Sequence, residues 1–448
     1  MNPHLHAEPI LVTGIGLATS LGFGVPENWR RLLAGDSGIT ILEPSHFAVP
    51  LNLPVRLGAM LPREKLSEAI RTAVPRHIWN TSADVCHAWL LAALEALHMA
   101  GLPVTSGSSF DSTADEAPKS GEDAQPARVG IFVGTGAGAA TFTEQEYVNV
   151  YTAEKPIHRD ISRMAVPKYM ASSLAGQLSI LIGARGPSIT VNTACSSGST
   201  ALLLALDAIR IGRIDRAVVG GADLPLTGAV LKGFANLGAL SPHNHRGAAA
   251  CRPFDAGRDG FVLGEGAACL VLESAPTVAV RKANPLACVA GGAATSEAHN
   301  LLAPREDGSS MAQCMREALR DAKIEPPQVG HVYAHGTGTQ YNDRCEARSL
   351  REVLPHGPTL SATKSQFGHT IGAAGAVDAV LAVYGFGTKE VVPCRNLDVP
   401  DPACNVNPAR SSRNTAPPDS CAVLVNSFAF GGHNASIVLK PVEYGNSM

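Results

Sequence analysis

The sequence predicts an α/β fold built from two similar halves. Short apolar strands alternate with amphipathic helices along most of the chain, which is typical of layered α/β folds. One stretch also recurs, because EALHMAGLP (95–103) and RVGIFVGTGAG (128–138) are similar to EALRDAKIEPP (317–327) and QVGHVYAHGTGT (328–339). Each copy contains a helix end, a connection, a strand and a Gly/Thr-rich turn. We therefore expect a duplicated architecture with halves at residues 1–278 and 279–448.

Each predicted strand is a short apolar run, and each predicted helix has the apolar pattern of a packed helix. Strands are expected at residues 9–14, 188–191, 216–221, 266–273, 286–292 and 421–427. Helices are expected at residues 84–100, 196–211, 311–322 and 372–385. The first copy of the repeat also carries an insert at 105–127 that is rich in Ser, Asp and Pro. Because it has almost no apolar residue to bury, this insert is predicted to be a mobile surface loop.

Composition limits the classes of partner. Hydrophobic residues make up 45% of the 448 residues, which allows a sizeable core and excludes wholesale disorder. The formal net charge is −3 and no basic stripe occurs, so we expect no nucleic-acid partner. No apolar run reaches the ~18 residues of a membrane span, and the first residues lack a signal or transit pattern. The expectation is a cytoplasmic protein that contacts no membrane.

Ten cysteines are present, yet none forms a CxxC pair or lies at zinc-ligand spacing with histidines. We therefore predict no metal site. Cys195 differs from the others because VNTACSSGSTALLLALDAIRIGR (191–213) reads as a strand end, a sharp turn at Thr193 and Ala194, and a buried apolar helix. Unpaired N–H groups and the dipole at a helix start favour a thiolate. Cys195 is a candidate nucleophile, and a buried structural thiol is the alternative for this local pattern.

Three further loops follow predicted strands and carry reactive groups, namely YAHGTGTQYNDRCE (333–346), SATKSQFGHTIGAAGAVDA (361–379) and NSFAFGGHNAS (426–436). The first contains His335, the second contains Lys364 and His369, and the third is a Gly/aromatic turn. Each histidine taken alone is more often structural. Strand ends in α/β folds converge on one site, so the three loops and the Cys195 turn together favour an active site.

These segments resemble the active-site motifs of β-ketoacyl synthases, in particular the ketoacyl-ACP synthase II type and related polyketide condensing enzymes. The similar motifs are TACSSG (193–198), PFDAGRDGFVLGEGA (253–267), HGTGT (335–339), KSQFGH (364–369) and FAFGGHN (428–434). The resemblance implies a thiolase-like fold, in which two duplicated α/β halves form five α-β-α-β-α layers, and a dimer. It also implies an acyltransferase that performs decarboxylative Claisen condensation in fatty-acid or polyketide chain elongation.

By this resemblance, Cys195 takes an acyl group from an acyl-carrier-protein thioester. Malonyl-carrier protein then loses CO2 and attacks the acyl group, which gives a 3-oxoacyl thioester. His335 and His369 would donate hydrogen bonds to the enolate that forms. The backbone N–H groups of Cys195 and Phe430 would form an oxyanion hole, and Phe428 and Phe430 would belong to a gating loop.

Four more residues receive roles from the resemblance alone. Lys364 would stay charged and orient the site through a buried salt bridge with Glu346, because an unpaired buried lysine is costly. Thr337 and Thr339 would contact the pantetheine arm of the carrier. No metal or dissociable cofactor is implied, because the carrier protein brings its own phosphopantetheine.

Three positions depart from the family pattern. Ala137 and Ala165 stand where the acyl pocket often has a larger aliphatic residue and an aromatic residue, and Leu302 replaces a commonly polar residue. Smaller side chains leave more room in a packed pocket. The sequence therefore predicts that the enzyme accepts a long, bulky or unsaturated acyl chain.

Other interpretations fit less well. A thiolase acting on acyl-CoA would have a catalytic cysteine near the C-terminus, and the KSQFGH segment disfavours it. A non-catalytic chain-length subunit typically lacks the cysteine, whereas Cys195 also suits the catalytic subunit of a heterodimeric type II polyketide synthase. An oxidoreductase is disfavoured because VTGIGLATS (12–20) ends in Thr where a dinucleotide turn needs a small third residue. Both a homodimer and a heterodimer with a paralogue remain open.

Overall fold

The computed structural model describes residues 8–49, 53–104, 126–152, 161–412 and 421–442. Most of the predicted insert, residues 105–125, lies outside the described residues, so its loop character stays a prediction. Pro126–Arg128 form a short 3-10 helix that leads into the next strand.

The six strands predicted from the sequence are all present, and the first one continues beyond its predicted end to Thr19. The described residues contain the strands β1 Ile10–Thr19, β2 Gly22–Phe23, β3 Thr40–Ile41, β4 Leu57–Ala59, β5 Val129–Gly134, β6 Ser188–Val191, β7 Arg216–Asp223, β8 Leu263–Gly264, β9 Gly266–Ser274, β10 Ala287–Ser296, β11 Val329–Tyr333, β12 Thr359–Ser361, β13 Ala422–Ala429 and β14 His433–Pro441.

The four predicted helices are also present. The described residues contain the helices α1 Val25–Ala34, α2 Arg63–Ala73, α3 Arg76–Asn80, α4 Asp84–Met99, α5 Ala140–Thr152, α6 Ala165–Tyr169, α7 Ser173–Ile182, α8 Ser197–Arg210, α9 Gly228–Asn236, α10 Ala275–Arg281, α11 Ser309–Ala322, α12 Gln340–Val353, α13 Lys364–Phe367 and α14 Ala374–Thr388. Local sequence explains the ends of α1. Pro26 lies in its first turn, where no N–H partner is needed, and Gly35 ends it with a left-handed φ of 80°.

The strand order of the main sheet shows the duplication. Ten strands run β12-β11-β13-β14-β10-β1-β9-β7-β5-β6, β2 adds to β1, and β3, β4 and β8 form a separate small sheet. Five of the ten come from each half, and the halves meet where β1 pairs antiparallel with β10. From that junction outward, both halves have two antiparallel pairings followed by two parallel ones. The innermost strand pair of each half, β1 with β9 and β10 with β14, also shifts register once, between Val12 and Gly14 and between Val289 and Gly291.

Helices and sheet form five layers. Helix α4 covers the outer face of the first half, α8 and α14 lie between the halves, and α11 and α12 cover the outer face of the second half. Strand β9 shows why this layering follows from the sequence. Its Leu270 and Leu272 face the central helices, whereas Cys269 and Val271 face α4. A strand that is buried on both faces must read as a continuous apolar run. The predicted two-half, five-layer α/β architecture is confirmed.

The central helix α14 is unusually apolar. The segment Ile371–Thr388, which contains α14, is long and apolar enough to cross a membrane, yet 78% of it is buried inside the protein. It packs against strands of both halves and against α8. Its apolar composition is therefore that of a core helix.

Candidate active site

Cys195 lies at a strained turn between β6 and α8. Ala194 has a φ of 51°, a left-handed value that residues with a side chain rarely adopt. Ala194–Ser196 then form a 3-10 turn that continues directly into α8. The predicted sharp turn and the position of Cys195 at the start of a buried helix are confirmed. Backbone strain of this kind collects at sites where neighbouring structure holds a reactive group in place.

The second half contains an equivalent turn before α14. Ile371 has a φ of 45°, and Ile371–Ala373 form a 3-10 turn that continues into the helix. Gly372 occupies the position that Cys195 occupies in the first half. The two central helices therefore begin in the same way, and only the first carries a thiol.

Asp223, at the end of β7, joins the turn before α14 to the loop after β5. Its carboxylate accepts hydrogen bonds from the backbone N–H groups of Gly372 at 2.6 Å, Gly136 at 2.7 Å and Ala137 at 2.9 Å. Burial raises the pKa of Asp223 to about 6, and these backbone donors act in the opposite direction. The sequence interpretation missed this residue. Its signal is an acidic side chain that ends the buried strand RAVVGGAD (216–223).

Cys195 faces a cavity of about 300 Å³ in which most of the predicted groups meet. The predicted residues that line it are Cys195, His335, Thr337, Thr339, His369, Phe428 and Phe430. They come from four separate segments of both halves, as expected for strand ends that converge. The remaining walls are largely apolar and include Phe234, Phe261 and Met311.

His335 and His369 lie side by side in this cavity. Their ring centroids are 5.3 Å apart with an interplanar angle of 82°, and Phe261 contacts His369 edge-on at 5.3 Å. The Nδ1 atom of each histidine is buried and has no hydrogen-bond partner among the described residues. Burial lowers the pKa of both imidazoles well below 6.5, and the charge of Lys364 lowers it further. Both rings are therefore neutral at pH 7.

Glu346 holds the backbone of the turn that carries His335. Its two carboxylate oxygens accept hydrogen bonds from the N–H groups of His335 and Gly336, each at 2.8 Å. Burial raises the pKa of Glu346 to about 7, and the two N–H donors lower it. Glu346 therefore acts behind the histidine and does not line the cavity.

The predicted salt bridge between Lys364 and Glu346 is wrong. Lys364 pairs instead with Asp378 of α14, with its Nζ atom 3.6 Å from Oδ2. Asp378 also accepts a hydrogen bond from Thr363 at 2.6 Å. The oxygens of Glu346 are turned to the N–H groups of His335 and Gly336, whereas Asp378 lies within ion-pair distance and compensates the buried ammonium. Asp378 was missed, although an acidic residue in the apolar segment GAAGAVDAV (372–380) signals a buried charge partner.

The electrostatic environment of Cys195 differs from the expected one. Burial raises the pKa of its thiol to about 12, which outweighs the lowering by the charge of Lys364 and by the backbone N–H groups of Cys195 and Phe430. Burial therefore favours the protonated form of this thiol. The backbone N–H groups of Cys195 and Phe430 lie within hydrogen-bonding reach of the sulfur and come from two different segments. Their role as an oxyanion hole stays a prediction.

The segment after β13 is bound to a second loop. Gly431, with a φ of 83°, donates its N–H to the carbonyl of Leu301 at 2.7 Å. Glu297 donates its own N–H to the carbonyl of Gly432 at 2.9 Å and accepts a hydrogen bond from Asn434 at 3.2 Å. Leu301, Glu297, Gly432 and Asn434 also line the cavity of Cys195. The sequence analysis gave no role to Glu297 and included Asn434 only as the last residue of FAFGGHN, because nothing in the sequence links these two distant segments.

Thr337 and Thr339 line the cavity, as expected. Their hydroxyl groups are 3.0 Å apart, and Asp343 accepts hydrogen bonds from Thr337 and from the N–H of Gly338. Gly338 has a φ of 82°, which this turn requires and glycine tolerates. The pantetheine contact of the two threonines stays a prediction.

Ala137 and Ala165 do not line the cavity of Cys195. The backbone of Ala137 is held by Asp223, and Ala165 is buried at the start of α6. Their predicted role in selecting the acyl chain stays a prediction. Within the described residues, no group of three or more His, Cys, Asp or Glu side chains is placed to hold a metal ion.

Family comparisons agree with this geometry. The family models described as the N-terminal and C-terminal domains of β-ketoacyl synthase match residues 7–277 and 286–398. The 3-oxoacyl-[acyl-carrier-protein] synthase 2 of Vibrio harveyi is 33% identical over 438 residues, which cover 97% of this chain and 98% of that protein. The corresponding enzyme of Staphylococcus aureus is 31% identical over 441 residues, with coverage of 97% and 98%.

Solved structures extend the similarity. A β-ketoacyl synthase from Burkholderia phymatum superposes with a TM-score of 0.84 at 29% identity, covering 97% of this chain and all of that chain. A ketosynthase of a type II polyketide synthase, solved with its acyl-carrier protein and bound to a hexaketide, gives a TM-score of 0.83 at 27% identity and the same coverage. The thiolase-like fold and the acyltransferase class are thereby confirmed. The chain belongs to the β-ketoacyl synthase family.

Proposed function

We propose that this enzyme forms 3-oxoacyl thioesters on acyl-carrier protein by decarboxylative condensation. The observation that carries the proposal is the convergence of one thiol, two neutral imidazoles and two backbone N–H groups on a single cavity. A nucleophilic thiol beside fixed N–H donors can take up an acyl group, because the donors stabilise the charge on the thioester oxygen. Two neutral imidazoles can donate hydrogen bonds to the oxygen of an enolate. The relatives named as 3-oxoacyl-[acyl-carrier-protein] synthases support this assignment.

In the first half-reaction, the Cys195 sulfur attacks the thioester carbonyl of the acyl-carrier protein. A bond forms between that carbon and the sulfur, the bond to the pantetheine sulfur breaks, and the thiol proton leaves with the carrier thiol. Negative charge develops on the carbonyl oxygen during the attack. We expect the N–H groups of Cys195 and Phe430, which both reach the sulfur, to stabilise this charge. Removal of such a donor typically lowers a rate by ~10²–10³-fold.

In the second half-reaction, malonyl-carrier protein loses its carboxylate as CO2. His335 and His369 each carry one N–H when neutral, and these donors stabilise the enolate oxygen that forms. The enolate carbon attacks the acyl carbonyl, a carbon–carbon bond forms, and the Cys195 sulfur leaves as a thiolate that takes a proton from solvent. The carrier supplies the phosphopantetheine arm, which we expect to pass Thr337 and Thr339 at the mouth of the cavity.

A second form of the same activity is supported by the structural comparisons. The ketosynthase/chain length factor of ishigamide superposes with a TM-score of 0.81 at 28% identity, close to the value for the type II polyketide ketosynthase. We therefore propose as the alternative that this chain is the catalytic subunit of a heterodimer, acting in the cytoplasm with a paralogous partner. Co-purification with a paralogue that lacks the cysteine would favour the heterodimer, and an isolated homodimer with full activity would favour the first form.

The function is tested by acylation of the cysteine. The enzyme is incubated with a panel of acyl-carrier proteins that bear different acyl groups, and the product is mapped by intact-mass and peptide mass spectrometry. We expect one acyl group on Cys195 and none in the Cys195→Ala variant. Cys86→Ala is the matched control, because Cys86 is also buried and burial also raises its pKa to about 12, but it does not line the cavity. Acylation of another residue, or of none with any chain, would contradict the mechanism.

A further inference from the structure

Asp223 is a buried carboxylate that the proposed mechanism does not use. Its Oδ1 atom accepts hydrogen bonds from the hydroxyl of Thr135 at 2.8 Å and from the N–H of Ala137 at 2.9 Å. Its Oδ2 atom accepts hydrogen bonds from the N–H groups of Gly136 at 2.7 Å and Gly372 at 2.6 Å. All four partners donate, and an ionised carboxylate satisfies them all because it only accepts.

A first path leads from Asp223 to the nucleophile through Gly136. The carbonyl of Gly136 accepts a hydrogen bond from the side-chain amide of Asn192 at 3.2 Å. The side-chain carbonyl of Asn192 accepts the N–H of Ala194, also at 3.2 Å. Ala194 has the left-handed φ of 51° and directly precedes Cys195. Asp223 is therefore connected, through one backbone unit and one side chain, to the strained residue before the thiol.

A second path leads through Gly372, in the turn before α14. Asp223 accepts the N–H of Gly372, and a Cβ atom at Gly198 would lie 2.9 Å from the Gly372 carbonyl oxygen. Gly198 belongs to the first turn of α8, which starts directly after the 3-10 turn of Cys195. The turn before α14 also packs against that 3-10 turn itself. One carboxylate thus holds both the loop after β5 and the turn that supports the start of α8.

We propose that Asp223 is a positioning residue for acyl transfer, which keeps the Cys195 thiol in place through Gly136 and Gly372. This role rests on the proposed function, since it concerns the first half-reaction. Asp223 is not among the described residues that line the Cys195 cavity, so it acts without touching the substrate. The thiol must meet the thioester carbon in a defined direction, and a displacement of about 1 Å can lower a rate by about 10²-fold.

Asp223→Asn tests the proposal, because the amide is similar in size but has one oxygen. In either orientation its NH2 group faces the N–H of Ala137 or those of Gly136 and Gly372, so a backbone hydrogen bond is lost. Acylation of Cys195 is followed by intact mass, with increasing excess of the acyl-carrier protein that reacts fastest in the panel. We expect the maximal rate to fall at least about tenfold, and the half-saturating concentration to stay within about twofold.

Glu95→Gln is the matched control for a weakened carboxylate. Glu95 of α4 is half-buried and accepts the N–H groups of Leu17 at 2.9 Å and Val25 at 2.7 Å. It does not line the Cys195 cavity. We expect its maximal acylation rate to stay within about twofold of wild type, whatever the change in its urea unfolding midpoint. A loss as large as that of Asp223→Asn would show that the effect is not specific to Asp223 and would overturn the proposal.

Asn192→Ala tests the first path separately and also decides the outcome if Asp223→Asn does not fold. Asn192 is exposed, so we expect the unfolding midpoint to stay unchanged while the maximal acylation rate falls at least about threefold. In the double variant with Asp223→Asn, the loss should equal that of Asp223→Asn alone within about twofold. The reason is that Gly136, once released by Asp223, no longer gives Asn192 a fixed partner.

Three results would overturn the positioning role. They are a wild-type maximal rate in either single variant, a change in Asp223→Asn that is confined to the half-saturating concentration, and losses that multiply in the double variant. A wild-type enzyme that takes no acyl group from any carrier would instead contradict the proposed function. The two failures are distinct, because the positioning role is judged from variants of an enzyme that is acylated.

Discussion

Cys195, His335 and His369 share one cavity, and burial is the largest cause of the pKa shift of each group. The same burial has opposite effects on the two types of group, because it always disfavours the charged form. The thiol keeps its proton, and the imidazoles stay neutral. Lys364 contributes to all three shifts from behind the cavity, so its charge adjusts the site without touching a substrate.

The neutral histidines predict a flat pH profile. An imidazole with a pKa well below 6.5 gains no proton as the pH falls from about 8 to about 6, so malonyl decarboxylation should keep its rate over that range. In Lys364→Met, the lowering by the nearby charge is lost and both histidine pKa values rise. The acid side of the profile of this variant should then move toward neutral pH. The measurement is CO2 release against pH, and a wild-type rate that halves near pH 6.5 would contradict neutral histidines.

The ion pair between Lys364 and Asp378 predicts a specific pattern of stability. Asp378→Asn leaves a buried ammonium without a charge partner, so we expect the free energy of unfolding to fall by about 3–5 kcal/mol. Replacing both residues, as Lys364→Met with Asp378→Asn, should recover part of this loss. The coupling energy from such a double-mutant cycle should exceed that of Lys364→Met with Glu346→Gln. Urea denaturation gives both coupling energies. A larger coupling energy between Lys364 and Glu346 than between Lys364 and Asp378 would contradict the ion pair with Asp378.

At the scale of elements, the close contact between β5 and the first turn of α8 positions the nucleophile. A Cβ atom at Gly134, the last residue of β5, would lie 2.2 Å from the carbonyl carbon of Ser197 and 2.3 Å from the nitrogen of Gly198. These are backbone atoms of α8, which starts directly after the 3-10 turn of Cys195. The contact therefore has room for the hydrogen atom of a glycine at position 134 but not for a Cβ atom.

Gly134→Ala should therefore push the start of α8 away from β5. Overpacking of this kind costs about 1–3 kcal/mol, and we expect acylation of Cys195 to slow as well, because the thiol moves with the helix. In Gly387→Ala of α14, the added Cβ meets nothing within 4 Å. This control should be neutral or slightly stabilising. Thermal unfolding and acylation rates are measured for both variants. Equal unfolding temperatures and equal acylation rates would show that the contact between β5 and α8 does not position Cys195.

At the scale of the whole molecule, the two halves share one core. The largest apolar cluster contains residues of β1 and β9 from the first half, β13 and β14 from the second half, and the central helices α8 and α14. Trp29 of α1 contacts Tyr384 of α14 edge-on at 5.3 Å, which joins the halves at another place. Burial shared in this way links the stability of each half to that of the other.

The shared core predicts a single cooperative unfolding transition. Hydrogen exchange of peptides that cover β1 and β10 should lose protection at the same denaturant concentration, because these strands pair with each other and bury residues in the same cluster. Mass spectrometry on the intact protein provides the measurement. Separate transitions for the two halves would show that the predicted division at residues 278 and 279 marks independently stable units.

Much of the fold and most of the cavity could be predicted because they depend on local patterns. Buried strands such as β9 read as apolar runs, and the repeat around residues 95 and 317 indicated the duplication. Cys195, His335 and His369 were found because each follows a strand in a small-residue turn. The Lys364 partner was predicted wrongly because the pairing with Glu346 came from the family resemblance, and only the fold decides which carboxylate lies within ion-pair distance of the ammonium.

The sequence by itself determined the alternation of strands and helices, the duplication and the chemical groups of the site, because periodicity and turn residues act over short distances along the chain. Only the tertiary structure decided which groups meet: the pairing of Lys364 with Asp378, and the link that Asp223 makes between the loop after β5 and the turn before α14. It also showed that burial favours the protonated form of the Cys195 thiol. Contacts and burial arise between residues distant in sequence, so their electrostatic consequences appear only once the chain is folded.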